Sequence, residues 1–140
     1  MKKNRVGKEQ AIISIRHFCA YQERAQQEVR DKLYELGMTK TEVEEILSDL
    51  IGENFLNEER FATSFAGGHF RIKGWGKLKI NHALYQKKVS AFNIKVALKS
   101  IDQDDYLAKL QELATKKWAS LKGERGLARM AKTQAFLHQR

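Results

Sequence analysis

The stretch "TKTEVEEILSDLIG", residues 39–52, decides the fold. Val43, Ile46, Leu47, Leu50 and Ile51 fall on one stripe at the i, i+3, i+4 spacing of an amphipathic helix. Thr39 and Glu42 have the spacing of a capping box, in which each side chain accepts a hydrogen bond from the other's backbone N–H. The stretch predicts a helix of about three to four turns opening at Thr39.

The stripe recurs further along the chain. At an offset of 51, Val43, Ile46, Leu47 and Leu50 become Ile94, Ala97, Leu98 and Ile101. The same offset carries Val29 to Ile80, Leu33 to Leu84 and Tyr34 to Tyr85. Seven apolar or aromatic matches at one offset indicate an internal repeat. Leu56 and Phe61 bracket Asn57 as the hydrophobic staple of a helix start would, and Ile101 and Tyr106 bracket Asp102 in the same way.

Each unit then reads as three helices: a long first one (about 11–24, 58–73 and 103–121), a second (25–37, 76–88 and 127–140) and a third (39–54 and 90–101). No proline and no serine- or glycine-rich linker interrupts them, which favours short helix-to-helix turns. The fold class is all-α, an elongated array of tandem three-helix repeats whose third repeat is incomplete. We divide the chain into a basic tail (1–10), an acidic first repeat (11–56), a basic second repeat (57–101) and a two-helix third (102–140).

With 140 residues the chain makes about one domain, and its one cysteine, Cys19, allows no internal disulfide. Near the N-terminus the apolar run "AIISI" stops at Arg16, too short for a secretory core or a membrane span. These features predict a cytoplasmic protein with no membrane contact.

Charge is distributed unevenly. Residues 23–59 hold four basic and eleven acidic side chains, whereas residues 60–100 hold nine basic and no acidic ones. A solvated helix face ordinarily mixes both signs, so a run of 41 residues without a carboxylate points to an anionic partner.

The chemistry of an active site is not found. His17, His69, His82 and His138 include no pair at i,i+4, and no zinc-ribbon spacing exists. Cys19 reads as a small buried residue. The glycines of "GGHFRIKGWG" match neither the dinucleotide fingerprint nor the Walker A pattern. Carboxylate clusters such as "EVEE" suit helix solvation and helix N-termini. We expect no enzyme, no cofactor and no metal.

The unusual stretch is "GGHFRIKGWGKLKI", residues 67–80, where Phe70 and Trp75 sit among Arg71, Lys73, Lys77 and Lys79. Phe61, Phe65, His69 and Ile72 recur at near-helical spacing and read as core. Trp75, between two glycines, reads as a corner anchor in preference to an exposed stacking platform. On the second helix Ile80, Ala83, Leu84 and Lys87 share one face while Lys77, Asn81 and Lys88 take another. Lys95 and Lys99 lie on the outer side of the next helix. An apolar inside with a cationic outside is the footprint of a nucleic-acid binder that holds phosphates and offers rings for stacking.

Three strings carry a resemblance: "CAYQERAQQEVRDKLYELG", "FLNEERFA" and "FRIKGWGKLKI". Together with the repeat layout, they make the chain from about residue 11 similar to the RecX family, regulators of the RecA recombinase. The resemblance implies three tandem three-helix repeats and a non-enzymatic modulator that binds the RecA–DNA filament along its groove. It implies repression of strand exchange and of the linked ATPase and coprotease activities, hence modulation of DNA repair and the SOS response. Arg60, Arg71, Lys73, Trp75, Lys77 and Lys79 stand where the family has its basic-aromatic signature. Departures are "GGH" and Gly74, where basic or acidic residues are common, and Ala25 in place of a capping serine; they imply a less cationic surface and a weaker helix.

The partners expected on this reading are the RecA filament and single- and double-stranded DNA, met by a monomer whose second unit faces the DNA while acidic patches of the first engage RecA. The rivals are a RecA-independent helical-repeat nucleic-acid-binding module and a protein-only scaffold, the latter distinguished by weak salt dependence.

Overall fold

The computed structural model describes residues 6–140. Among them are eight helices and no strand: α1 (Lys8–Tyr21), α2 (Gln26–Glu35), α3 (Lys40–Gly52), α4 (Glu58–Lys73), α5 (Lys77–Gln86), α6 (Ala91–Lys99), α7 (Gln103–Ser120) and α8 (Gly126–His138). The expected basic tail lies partly outside the described residues, and its last three residues open α1 instead.

Local chemistry sets the helix ends. The Thr39 hydroxyl accepts from Glu42 N–H at 3.3 Å, and the Glu42 carboxylate accepts from Thr39 N–H at 3.0 Å. Asn57 and Asp102 each accept from the third residue of their helices at 2.9 Å, and Ser90 accepts from Asn93 N–H at 3.2 Å. Each cap satisfies an N–H that the helix leaves without an internal acceptor.

Helix α1 ends three residues before its expected stop because Gln22 turns extended (φ −160°). Arg24, freed from the helix, folds back, donates from Nε to Phe18 O at 2.9 Å and lays its guanidinium 3.7 Å above the Phe18 ring. Ala25 begins α2 with no side-chain cap; only the Glu28 half of a box is present, accepting from Ala25 N–H at 3.5 Å. Its methyl group is fully buried in the core of the second unit, a place that favours a methyl over a serine hydroxyl.

Two cores follow. Ile15, Val29, Leu33, Val43, Ile46 and Leu50 form the first, between α1, α2 and α3. The second joins α4, α5 and α6 through Phe61, Ala66, Phe70, Ile80, Leu84 and Ile94. The offset pairs are equivalent in three dimensions: Val29 and Ile80, like Leu33 and Leu84, are all 0 % exposed. Complete burial of such a side chain contributes about 1.5–3 kcal/mol.

On α4 the buried stripe differs from the expected one. Phe61 and Phe70 are buried, but Phe65 and His69 are half-buried and Ile72 is exposed. Small residues belong to that stripe: Ala62 and Ala66 are fully buried with Ala97 in the core where α4 meets α6, and Ile72 lies off this face in solvent. The helix runs unbroken through Gly67 and Gly68 to Gly74, whose left-handed φ of 67° closes it with Gly74 N–H to Phe70 O and Trp75 N–H to His69 O, both 3.1 Å.

The two staples also resolve differently. Ile101 and Tyr106 both join the second core, whereas Leu56 belongs to the first core and Phe61 to the second, so that pair seats the linker between units. Helices α7 and α8 pack against each other and leave Leu107, Leu127 and Met130 exposed. Tyr106 and the Arg140 carbonyl, which accepts from Gly76 N–H, tie this pair to the second unit.

Candidate nucleic-acid interface

At the α4–α5 corner the left-handed Gly74 turns the chain and delivers Trp75 onto the second core. His69 stacks on Phe65 at 3.8 Å between centroids and lies 4.5 Å from Trp75. Its Nδ1–H donates to Phe65 O at 2.8 Å, since a carbonyl only accepts, and this fixes the ring orientation. Lys73 and Lys79 come from either side of the corner, their Nζ atoms 5.4 and 4.8 Å from the Trp75 centroid. Half-buried Trp75 is therefore an anchor whose ring also holds two ammonium groups, each interaction contributing roughly 0.5–1 kcal/mol.

Between α5 and α6 lies a cleft of about 350 Å³. Lys77, Asn81 and Tyr85, at i, i+4 and i+8, form the α5 wall; Lys95 and Lys99, at i and i+4, form the α6 wall over a floor of Ile94 and Leu98. No carboxylate lines it. The start of α5 is pinned from α7, because Lys77 N–H donates to the Tyr106 hydroxyl at 3.2 Å and Lys77 Nζ lies 4.9 Å from the Tyr106 ring.

Other site candidates lie elsewhere. Arg60 is occupied at the junction of the two units: Nε donates to Glu23 Oε1 at 2.5 Å, Nη1 to Asn54 Oδ1 at 3.2 Å and Nη2 to Asn54 O at 3.1 Å. Arg71 is exposed and lies back over Gly67, where an added Cβ would stand 2.7 Å from its Nη1. Lys88 does not continue the Lys77–Asn81 face, because α5 ends at Gln86 and Lys88 sits in the following turn at φ 62°. Lys87, expected on the apolar face, is half-buried and pairs with Glu28 at 3.5 Å.

The structure thus gathers the candidates into two groups, Lys73 and Lys79 around Trp75, and Lys77, Lys95 and Lys99 around the cleft. Tyr85, 72 % exposed in that cleft, was not among the sequence candidates. The signal for it was the repeat itself, which matched Tyr85 to Tyr34 while changing the charges around it.

The carboxylates of the first unit brace its own helices. Lys8 meets Glu45 at 3.1 Å, Arg16 meets Glu53 at 2.8 Å and Arg30 meets Glu44 at 3.1 Å. These are largely exposed pairs, each contributing about 0.2–1 kcal/mol. Among the described residues no helix is long and apolar enough to cross a membrane.

Fold and surface together define a tandem helical-repeat protein with a cationic, ring-bearing middle unit. Residues 57–98 match the family model described as RecX, second three-helix domain. The regulatory protein RecX of Chlorobium limicola is 30% identical over 113 residues, 81% of this chain and 69% of that protein. Those of Oceanobacillus iheyensis and Clostridium perfringens SM101 are 27% and 32% identical over 74% and 71% of this chain, which spans 38% and 46% of their lengths. The crystal structure of RecX from Lactobacillus salivarius superposes with a TM-score of 0.88 at 21% identity, covering 94% of this chain and 86% of that one. A second RecX crystal structure gives 0.85 at 23%, covering 94% and 65%. The chain belongs to the RecX family.

Proposed function

We propose that this protein is a non-enzymatic regulator that binds RecA–DNA filaments and represses recombinase, ATPase and coprotease activities, modulating DNA repair and the SOS response. Membership of a family of regulatory proteins supports this reading. The observation that carries it is the cationic second unit, where a run of 41 residues without a carboxylate surrounds a cleft and a tryptophan corner with lysines. A surface of one sign, held on rigid helices, suits the polyanionic backbone of DNA inside a filament.

On this reading the repeats 11–56, 57–101 and 102–140 lie along the filament as a cytoplasmic monomer, and the second makes the DNA contact through Lys73, Lys77, Lys79, Lys95 and Lys99. Arg60 serves the array by joining its first two units. The first unit offers its acidic patches to RecA, because Glu44, Glu45 and Glu53 stay about half exposed while each pairs with a basic side chain. Groove occupancy along several protomers would hinder strand access and protomer exchange together.

Co-sedimentation with RecA filaments tests the assignment. Replacing Lys77 and Lys79 by Glu should weaken binding while the helical circular-dichroism signal is retained. A double variant that binds as well as the unmodified protein would overturn it.

A further inference from the structure

The two repeats differ at one place in a way that packing does not require. In the first, the groove between α2 and α3 is closed by an ion pair, Arg30 Nε to Glu44 Oε1 at 3.1 Å. At the offset of 51 the same positions hold Asn81 and Lys95, so the second repeat has no such pair. Two further replacements follow the same direction: Gln26 becomes Lys77 and Ser48 becomes Lys99. The core beneath is unaltered in kind, with Val43 and Leu47 answered by Ile94 and Leu98.

Three lysines around one cleft repel one another, and Lys95 and Lys99 have no carboxylate partner among the described residues. Such an arrangement is favourable when an anion bridges the ammonium groups. The ring at the equivalent position is also more exposed in the second repeat, Tyr34 being 42% and its counterpart Tyr85 72% exposed. An exposed aromatic face flanked by cations is the surface that single-stranded nucleic acid uses, the ring meeting an unpaired base and the amines meeting phosphates. A duplex keeps its base faces stacked, so an aromatic side chain meets its phosphates and groove edges but no free base face.

From this geometry we infer that the α5–α6 cleft is a binding site for single-stranded nucleic acid, with Tyr85 stacked on a base and Lys77, Lys95 and Lys99 on the flanking phosphates. The inference rests on the reading of the second unit as nucleic-acid-binding and assigns that role to one cleft and one strand state.

The test is fluorescence anisotropy of the full chain with a labelled short oligothymidylate and with a duplex of the same length. The variant N81R/K95E writes the first repeat's ion pair into the second, so the chain itself supplies the precedent that it folds. It should lower single-strand affinity about tenfold, because the free Lys95 ammonium is lost, the cleft carries one positive charge fewer and the ion pair spans the groove as it does in the first repeat. Tyr85→Ala should cost roughly five- to a hundredfold on the single strand and little on the duplex, while Tyr85→Phe retains binding, because stacking needs only the ring. K95A/K99A, which removes two exposed amines, gives the same loss should the paired variant not fold. Unchanged affinity in both cleft variants, with the unmodified protein binding well, overturns the cleft and leaves the second unit's role standing. Equal losses on both strand states for Tyr85→Ala overturn base stacking. An unmodified protein that binds neither oligonucleotide overturns the nucleic-acid reading itself.

Discussion

Arg60 of α4 reaches back to Glu23, the Nε–Oε1 distance being 2.5 Å, and this contact joins the second unit to the linker between α1 and α2. The other guanidinium nitrogens hold Asn54 and the Phe55 carbonyl, so one side chain fastens both the α1–α2 linker and the end of the first unit to the start of the second. Arg60→Ala should destabilise the protein by about 1–2 kcal/mol, the lower part of the range for charged hydrogen bonds because the group is partly solvated. Arg60→Lys should recover little of that, since a single ammonium cannot replace the fork. Chemical denaturation measures both, and single-strand affinity should change less than in the cleft variants.

Lys88 occupies a left-handed conformation, φ 62°, at the position where the first repeat has Gly37, φ 89°. In both, the next residue's N–H turns back to close the helix, Met38 to Leu33 O at 3.1 Å and Val89 to Leu84 O at 3.2 Å. A side chain in that region costs about 1 kcal/mol or slightly more. Lys88→Gly should raise the stability by about that amount, less what glycine gives the unfolded chain, and Gly37→Lys should lower it. Thermal melts of the two variants should move in opposite directions.

Leu33 and Leu84 are equivalent and fully buried, each at the centre of its unit. Replacement by Ala should cost about 2–5 kcal/mol in either place. Hydrogen exchange should show Leu33→Ala weakening protection chiefly in α1–α3 and Leu84→Ala chiefly in α4–α6.

Burial pushes the Cys19 thiol above its usual range, and nearby Arg24 only partly offsets this. The folded protein therefore favours the neutral thiol. Stability from this group is present below the ordinary thiol range and lost as pH rises through the raised folded value. Thiol reagents at neutral pH should label Cys19 slowly in the native chain and at the normal rate after denaturation.

Much of the architecture was legible because its causes are local or periodic. The Thr39–Glu42 box spans four residues, and the match of Val29 with Ile80 needed only a repeated pattern. What escaped was set by pairings between distant positions. Arg60 looked like a free cation because Glu23 is 37 residues away. Ile72 looked buried because large side chains dominated the pattern on α4, whereas Ala62 and Ala66 decide which face meets α6. Of the candidate site, the lysines were legible as a charge run; the cleft was not, because it depends on Tyr85 and on the missing counterpart of the Arg30–Glu44 pair.

Action on the filament is tested by RecA's DNA-dependent ATP hydrolysis on single-stranded DNA, titrated with this protein while its binding to free DNA is followed in the same salt. A regulator acting on the filament inhibits well below saturation of the DNA. Inhibition that begins only when the DNA is already coated would rule out direct action on the filament and leave a competing nucleic-acid binder.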